Sequence, residues 1–196
     1  MYRLKIFISY FLLWPIWLYV CHCKKRSLII ADIKYYLHDF PEKLNKISYE
    51  DFIWLVIRNK SFRNVLYYRI KRVSYFMKWL YTPQDEPQIS CDTEIGGGLF
   101  FCHGFSTIVV AKAIGKNCWI NQQVTIGATG KNDYPTIGNN VHILAGAIVI
   151  GNIYIGDNSV IGAGAVVTKD VPPNCVVIGN PAYICRRNGI KVNEKL

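Results

Sequence analysis

Aliphatic residues recur at every sixth position through the second half of the chain. The in-phase positions are all Ile or Val, at 108, 114, 120 and 126 and again at 137, 143, 149, 155, 161 and 167. A period of six fits neither an α-helix nor an ordinary alternating strand. It is typical of a β-solenoid, in which each hexapeptide forms one side of a three-sided coil and directs one aliphatic side chain inward. The pattern therefore predicts a stacked core of Ile and Val.

Two further regularities accompany this repeat. Glycine follows the in-phase residue at five places, namely Gly115, Gly127, Gly138, Gly156 and Gly162. We interpret these glycines as residues suited to special backbone geometry at the corners of the coil. Small or β-branched residues occupy the fourth place after the aliphatic one, at Val124, Val141, Ala147, Ser159 and Ala165. Both regularities favour a tightly wound coil.

The repeat is interrupted once, between Ile126 and Ile137. These two residues are eleven positions apart, one short of two repeats. We expect residues 127–136 to leave the solenoid as a loop, and long loops on rigid scaffolds commonly carry function. The repeat ends at Asp170-Val171-Pro172-Pro173, and a last coil edge is expected near Ile178-Gly179-Asn180-Pro181.

The first half of the chain has a helical pattern instead. Apolar residues recur at helical spacing between residues 27 and 81, and Ser48 with Asp51 has the form of a capping box. The last helix is predicted to carry one apolar stripe, with Arg63 on its polar side. Residues 82–87 are rich in proline and polar residues and mark a boundary. The predicted divisions are an N-terminal segment (1–26), a helical region with its linker (27–88), a β-helix domain (89–187) and a C-terminal tail (188–196).

The N-terminal segment contains an apolar run over residues 6–20 in which only Ser9 is clearly polar. The run is shorter than the roughly 20 residues of a spanning helix, and Pro15 would kink it. Basic residues at 24–26 follow in place of a cleavage site, so we expect no export and a cytoplasmic location. Aromatic residues flanked by cations favour attachment to the inner face of the cytoplasmic membrane. The alternative is a helix packed against protein.

Composition and charge exclude several structural and functional classes of protein. The chain is 51% hydrophobic and 18% charged, which excludes general disorder. The net charge is +10, and residues 1–88 hold 15 Lys or Arg against 7 Asp or Glu. No nucleic-acid-binding motif accompanies this charge, so we expect no nucleic-acid partner. Seven scattered cysteines suit a reducing compartment, and Cys21-His22-Cys23 lacks the second ligand pair of a metal site. We therefore expect no metal.

Three segments carry a family resemblance: GGGLFFCHGFSTIVVAKAIG, NQQVTIGATGK and IGAGAVVTKDVPPNCVVIGNPA. With the repeat, they make residues 58–187 similar to the left-handed β-helix (hexapeptide-repeat) acyltransferases, and within them to the serine acetyltransferase-like branch. Residues 62–70 also resemble the last helix before the solenoid of that family. The resemblance implies a mainly β fold, a left-handed parallel β-helix preceded by an α-helical N-terminal region. It also implies an O-acetyltransferase that uses acetyl-CoA and forms a homotrimer.

The resemblance assigns the chemistry to His103. In that family a histidine near the first coils is the general base that takes the proton from the acceptor hydroxyl. The hydroxyl then attacks the thioester of acetyl-CoA directly. Imidazole suits this task because its usual pKa lies near neutral pH. The other histidines, His22, His38 and His142, match no catalytic position, and His142 is expected on the coil surface.

The family binds coenzyme A along the solenoid, between neighbouring subunits of a trimer. The matching small residues are Ala128, Ala145 and Ala163, and small side chains let the pantetheine arm approach the backbone. Gly130 lies in the same loop as Ala128 and is also placed among the coenzyme-binding positions. The cations that suit the coenzyme phosphates are Lys131, Lys169, Arg186 and Arg187. A solvated surface role is the alternative for these four.

The chain departs from the family where the acceptor is held. The aspartate that orients the base falls on Gln88, and Cys102 replaces the acidic residue before the histidine. Tyr134 stands where the family has a second histidine in the loop. Asp92 or Glu94 remains as a candidate to orient the base. We place Cys102 and Tyr134 among the substrate-binding positions.

Three functions remain open. The loss of the carboxylates that would hold the ammonium group of serine favours acetylation of a saccharide, free or lipid-linked, in cell-surface polysaccharide biosynthesis. The first alternative is a serine O-acetyltransferase of cysteine biosynthesis. The second is a non-catalytic β-helix used as a scaffold.

Overall fold

The helical pattern of the first half forms six α-helices among the described residues, which are 2–81 and 87–196 of a computed structural model. They span Tyr2–Leu12 (α1), Trp14–His22 (α2), Arg26–Tyr36 (α3), Tyr49–Arg58 (α4), Lys60–Ile70 (α5) and Ser74–Leu80 (α6). Short 3₁₀ turns occupy Pro41–Lys43 and Lys71–Val73. The chain divides into two compact units, residues 1–84 and 85–196. The predicted linker at 82–87 falls mostly outside the described residues. Within the described part of the chain, no helix is long and apolar enough to cross a membrane.

The predicted capping box at the start of α4 is confirmed. The Asp51 amide donates to Ser48 Oγ at 3.2 Å, and the Ser48 amide donates to Asp51 Oδ2 at 3.0 Å. Lys43 Nζ also reaches Asp51 Oδ1 at 2.9 Å. Burial opposes ionisation of Asp51, but these hydrogen bonds outweigh it and lower the pKa of the carboxyl. The cap therefore holds a charged carboxylate at the positive end of the helix dipole.

The predicted stripe between Phe62 and Leu80 is interrupted. The chain leaves the helix at Lys71, which has a φ of 45°, and Ser74 Oγ donates to the Lys71 carbonyl at 2.6 Å. Arg63 is buried, and its Nη1 donates to the Val56 carbonyl at 2.8 Å. The expectation of an exposed Arg63 was wrong because the last carbonyls of α4 lack donors within their own helix.

A buried ion pair joins α3 to α5. Arg69 Nε lies 2.8 Å from Asp32 Oδ2, and Arg69 Nη2 lies 3.1 Å from Asp32 Oδ1. Both side chains are almost fully buried. The geometry is bidentate, which is the arrangement that best offsets the cost of burying two charges.

The repeat of the second half winds into a left-handed parallel β-helix with three faces. Face A contains Gln88–Ile89 (β1), Ile108–Val109 (β4), Thr125–Gly127 (β7), Ile148–Ile150 (β10) and Val166–Val167 (β13). Face B contains Glu94–Ile95 (β2), Ala113–Ile114 (β5), Thr136–Ile137 (β8) and Tyr154–Ile155 (β11). Face C contains Phe100–Cys102 (β3), Trp119–Asn121 (β6), His142–Ile143 (β9), Val160–Ile161 (β12), Cys175–Ile178 (β14), Tyr183–Arg187 (β15) and Ile190–Lys195 (β16).

The stacked aliphatic core is confirmed at nine of the ten predicted positions, all of which are buried. The exception is Ile108, which is 43% exposed, while its neighbour Val109 is fully buried. Five residues separate β3 from β4 at this corner, whereas three separate β6 from β7. His103 and Gly104 are the two additional residues, and they shift the inward position from 108 to 109. Ile108 lies six positions before Ile114 and so matches the repeat in the sequence, although Val109 is the residue that points inward. The sequence alone therefore does not reveal the shift.

The role predicted for the corner glycines is wrong. Gly115, Gly138 and Gly156 are absent from the positions with positive φ. Glycine is needed at these places for space, since a Cβ on Gly115 would lie 2.5 Å from the Gly138 carbonyl oxygen of the next coil. The left-handed corner position falls two residues later and is held by asparagine, the residue that best tolerates it after glycine. These asparagines are Asn117, Asn140, Asn158 and Asn174, with φ between 54° and 58°.

The C-terminal tail, residues 188–196, contains the strand β16. β16 pairs with β15 in an antiparallel hairpin around Asn188 and Gly189, with φ of 49° and 80°. Asn-Gly is the usual sequence of such a turn, so the sequence held a signal for this hairpin. Arg187 and Glu194 form an ion pair across it.

Candidate active site

His103 lies exposed at the corner between faces C and A. It begins the two-residue insertion after β3, and its φ is 65°. Left-handed backbone is uncommon for a residue with a side chain, and such strain concentrates at functional sites. Gly104 continues the turn with a φ of 51°. The insertion therefore projects the imidazole out of the regular wall of the solenoid.

The edge that carries His103 also carries two of the residues assigned to coenzyme A. In successive coils, the corner position is held by Phe105, Gln122, Ala145 and Ala163. Backbone hydrogen bonds connect these coils, from Gln123 to Phe105, from Gly146 to Gln122 and from Gly164 to Ala145. Neighbouring strands lie about 4.8 Å apart, so about 14 Å separates the first of these coils from the fourth. We call this row the His103 edge.

The His103 edge suits an extended ligand that contacts backbone. Ala145 is half-buried and Ala163 is exposed, so their small side chains form a shallow wall. A Cβ built on Gly164 would meet no atom within 4 Å, which leaves open space beside that backbone. The residues present therefore fit a pantetheine arm laid along the edge.

Gln122 has an unusual polar atom on this edge. Its side-chain oxygen Oε1 is buried and has no hydrogen-bond partner among the described residues. A buried acceptor without a donor is costly, and most such groups in proteins are satisfied. A ligand that lies on the His103 edge and brings a donor would satisfy it. Sequence reasoning missed this residue because glutamine at a coil corner has no distinctive signal.

The carboxylates expected to orient His103 lie on a different edge. Asp92 and Glu94 line a cleft of about 730 Å³ at the corner between faces A and B, together with Lys112, Asn132, Tyr134 and Asn152. The strand β4 of face A separates this corner from His103. No hydrogen bond joins the imidazole to a side chain anywhere in residues 2–81 and 87–196. Within one chain, the structure therefore does not bring Asp92 or Glu94 to His103.

Gln88 matches the family's orienting aspartate, and its strand position is nearer to the His103 corner than the positions of Asp92 and Glu94. It begins β1 and pairs with Ile108, the first residue after the corner that carries His103. Its backbone amide donates to the Thr107 carbonyl at 2.8 Å. A neutral amide therefore stands on the side of face A that His103 occupies.

The predicted loop between β7 and β8 is confirmed over residues 128–135, since Gly127 and Thr136 belong to the strands, and Asp133 organises it. The Asp133 carboxylate accepts from the amides of Thr129 and Gly130, at 3.0 and 2.8 Å, and from the Thr129 hydroxyl. Hydrogen bonding by these groups lowers the pKa of Asp133. Ala128 and Lys131 are exposed beside this network. The loop belongs to the A/B corner with the cleft, and so it lies apart from the His103 edge.

The other cations assigned to the phosphates lie toward the C-terminal end. Lys169 Nζ donates to the carbonyl of Leu196 at 2.7 Å, and a small depression of about 150 Å³ separates Lys169 from Pro181 and Ala182. Arg186 is exposed on β15. Arg187 is engaged by Glu194, and the hydrogen bond to that carboxylate raises the pKa of the guanidinium. Arg187 is therefore the least available of these cations.

Cys102 and His142 have surroundings that argue against reactive roles. Burial raises the pKa of the Cys102 thiol. His142 is half-buried on face C and stacks on Trp119 with ring centroids 5.8 Å apart, and Phe100 lies 4.3 Å beyond. Burial lowers the pKa of His142. All seven cysteines are free, and no group of three metal-ligating side chains occurs within the described residues.

Comparison with known proteins gives consistent matches. A family profile described as "Bacterial transferase hexapeptide (six repeats)" matches residues 134–169. The serine acetyltransferase of Synechococcus elongatus is 44% identical over 110 residues, which are 54% of this chain and 45% of that protein. The chain thus spans about half the length of the curated relatives it matches.

Two crystal structures of the Neisseria gonorrhoeae serine acetyltransferase are similar to this fold. The first has a TM-score of 0.68 and 28% identity, and covers 88% of this chain and 71% of that one. The second, a complex with serine, has a TM-score of 0.62 and 30% identity over 80% of this chain and 67% of that one. Together with the solenoid and the projected His103, these matches show that the chain belongs to the left-handed β-helix acyltransferases with hexapeptide repeats, in their serine acetyltransferase-like branch.

Proposed function

We propose that this protein is an acetyl-CoA-dependent O-acetyltransferase in which His103 is the general base. The observation that carries the proposal is the two-residue insertion that projects His103 from the solenoid wall with a left-handed backbone. The inward residues on either side of the insertion are Phe101 and Val109, so the exposed His103 side chain is not part of the solenoid core. An imidazole displayed in this way is best explained by chemistry at the ring.

The proposed reaction transfers the acetyl group directly from acetyl-CoA to the acceptor, with His103 handling the proton. Acetyl-CoA supplies an activated acetyl thioester when it is bound. The neutral imidazole of His103 accepts the proton of the acceptor hydroxyl as the oxygen attacks the acetyl carbonyl carbon. The acetyl carbon–sulfur bond breaks, the acceptor leaves as an ester, and the proton passes from His103 to the coenzyme thiolate. No covalent bond to the enzyme is required.

The protein is proposed to act as a homotrimer. The His103 edge and the loop-bearing A/B corner lie on opposite sides of face A, so the residues carried over from the family cannot meet within one chain. Cyclic association of three-sided coils brings one edge of each subunit against a different edge of its neighbour. Light scattering of active protein tests this state. A more specific test co-expresses His103→Ala chains with Asp92→Asn/Glu94→Gln chains, because activity above that of either parent requires a shared site.

Serine is proposed as the acceptor. The named relatives are serine acetyltransferases, and one similar structure contains serine. The ammonium group of serine requires a carboxylate, and none lies among the described residues of the His103 edge. In a trimer, Asp92 or Glu94 of the neighbouring subunit would supply it. The sequence-based preference for a saccharide is less well supported than this alternative.

A saccharide hydroxyl is the second candidate acceptor. The observation in its favour is the neutral character of the positions beside the base, where Gln88 and Cys102 stand in place of two acidic residues. A sugar carries no ammonium group and needs no carboxylate there. Lipid-linked intermediates of surface polysaccharides belong to this class.

The deciding experiment incubates the purified full chain with acetyl-CoA and either L-serine or a panel of glycosides, and follows release of the coenzyme thiol. Turnover with serine that His103→Ala abolishes would establish the first acceptor. Turnover with glycosides alone would establish the second. Failure of acetyl-CoA to bind in calorimetry would leave only the scaffold function.

A further inference from the structure

The outer face of α1 and α2 is apolar and exposed. Phe7, Phe11, Trp14 and Leu18 are 62%, 67%, 48% and 43% exposed, and they recur at intervals of three or four residues. We call these four residues the outer stripe. Ile8, Tyr10 and Tyr19 flank it and are also exposed. The inward residues are different ones, namely Ser9 of α1, Leu13 between the helices, and Ile16 and Val20 of α2, so the outer stripe is not the core side.

Ordinary surface helices present polar residues to water. Residues 6–23 contain no Lys, Arg, Asp or Glu, so the charged residues of α1 and α2 are limited to Arg3 and Lys5 near the start of α1. A contiguous exposed apolar surface of this kind marks an interaction site. Phe7 and Phe11 pack on each other and Trp14 packs on Tyr49 of α4, but each of these rings keeps a large exposed fraction that is available to a partner.

Cations adjoin one end of the outer stripe. Lys24 and Arg26 are exposed directly after α2, and Lys25 Nζ lies 5.8 Å from the ring centroid of Tyr68. Desolvation, together with the nearby charges of Lys71 and Arg69, lowers the pKa of Lys25. Positive charge is therefore concentrated where the apolar face ends.

We propose that the outer stripe inserts into the headgroup region of an anionic lipid bilayer. The helices are 11 and 9 residues long, too short to span a bilayer and suited to lie in its plane. Trp14, Tyr10 and Tyr19 combine an apolar ring with a polar group, the type of residue that settles at this boundary. Lys24 and Arg26 would meet the lipid phosphates. This inference is independent of the acceptor of the proposed enzyme.

A second copy of this chain is the main competing occupant of the outer stripe. Two copies that met through this face would bring their cation clusters together, and like charges oppose such contact. An anionic bilayer receives the same cations favourably. Charge therefore distinguishes the two partners and favours lipid.

The test is co-sedimentation of the full chain with vesicles of phosphatidylcholine, with and without phosphatidylglycerol. We expect binding to the vesicles that contain phosphatidylglycerol. Phe7→Gln/Phe11→Gln/Leu18→Gln should weaken this binding at least tenfold, because it removes the inserted apolar surface. Lys24→Gln/Arg26→Gln should weaken it about fivefold for each cation removed, and salt should weaken the unmodified chain in the same direction.

The matched control is Tyr154→Gln/Ile190→Gln, which removes exposed apolar surface from the solenoid unit. It should bind vesicles like the unmodified chain. Circular dichroism of each variant confirms folding, since the replaced side chains are exposed. The inference is overturned if the unmodified chain ignores anionic vesicles, if the triple variant binds equally well, or if pure phosphatidylcholine binds as strongly. A change of oligomeric state in the triple variant without vesicle binding assigns the stripe to a second copy instead.

Discussion

His103 and Gln122 lie on the same edge of the solenoid, in neighbouring coils, and the amide oxygen of Gln122 is buried without a donor in the described part of the chain. The proposed base and the residue with the unsatisfied acceptor therefore belong to the same corner of the solenoid. A buried carbonyl oxygen without a donor typically costs about 1–3 kcal/mol of stability. A bound ligand that donates to it recovers this free energy.

Gln122→Leu is expected to separate binding from stability. The substitution removes the unsatisfied acceptor, so the free energy of unfolding should stay constant or rise by about 1 kcal/mol. The Kd of acetyl-CoA or the KM of the acceptor should rise about tenfold, because the ligand loses a hydrogen bond. Calorimetry and denaturant unfolding measure the two effects. Unchanged affinity for both ligands with lower stability would show that Gln122 has a structural role only.

His103→Ala is expected to abolish most of the turnover while leaving the fold intact. General-base removal typically costs about 10²–10⁴-fold in rate. The core is built from inward Ile and Val residues, so the melting temperature should change little. Acetyl-CoA should still bind because its predicted contacts lie at Ala145 and Ala163. His142→Phe serves as the control, since it keeps the stack on Trp119 and should keep activity. Near-normal turnover by His103→Ala would refute the proposed mechanism.

Cys102→Ala is expected to change turnover little. Burial raises the pKa of the Cys102 thiol, so the thiol stays protonated at neutral pH and is a poor nucleophile. Direct attack by the acceptor hydroxyl needs no cysteine. Mass spectrometry of enzyme quenched during turnover should detect no acetyl group on Cys102. Detection of that adduct at a competent rate would replace direct transfer with a covalent mechanism.

Asn140 tests the row of asparagines that closes the coils. Its φ is 54°, and its side chain bridges Asn117 and Asn158 at 3.4 and 3.0 Å. Asn140→Ala should lower the free energy of unfolding by about 2 kcal/mol, through left-handed strain and lost hydrogen bonds. Asn140→Gly should cost about 1 kcal/mol less, because glycine adopts this φ without strain. Equal losses in denaturant unfolding would exclude a backbone contribution.

Breaking the ion pair of Asp32 and Arg69 is expected to cause a large loss of stability, which a second substitution at Arg69 should largely restore. Asp32→Ala should lower the free energy of unfolding of the helical unit by about 3–5 kcal/mol, because Arg69 is left buried and charged. The double variant Asp32→Leu/Arg69→Met should recover most of this loss, since it removes both charges together. Denaturant unfolding monitors each protein. A double variant as unstable as Asp32→Ala would argue that packing, rather than charge, holds this site.

The sequence determined the solenoid core because its physical rule is local. Each coil repeats one requirement, an inward aliphatic residue, and so Ile120, Ile143 and Ile161 could be assigned without the fold. The capping box of Ser48 and Asp51 was equally readable, since its hydrogen bonds connect residues three apart. The assignment of His103 as the general base comes from motif resemblance and stays a prediction, which the exposed position of the imidazole favours.

Only the tertiary structure decided which residues share an edge. Winding the chain into three faces places Ala145 and Ala163 beneath one another on the His103 edge, and moves Asp92 and Glu94 to another corner. Sequence distance is a poor guide here, since Asp92 is eleven positions from His103 and Ala163 is sixty. The burial of Arg63 and the exposure of Ile108 were likewise decided by the tertiary structure. Their burial and exposure depend on carbonyls of another helix and on the length of one corner, which no local pattern encodes.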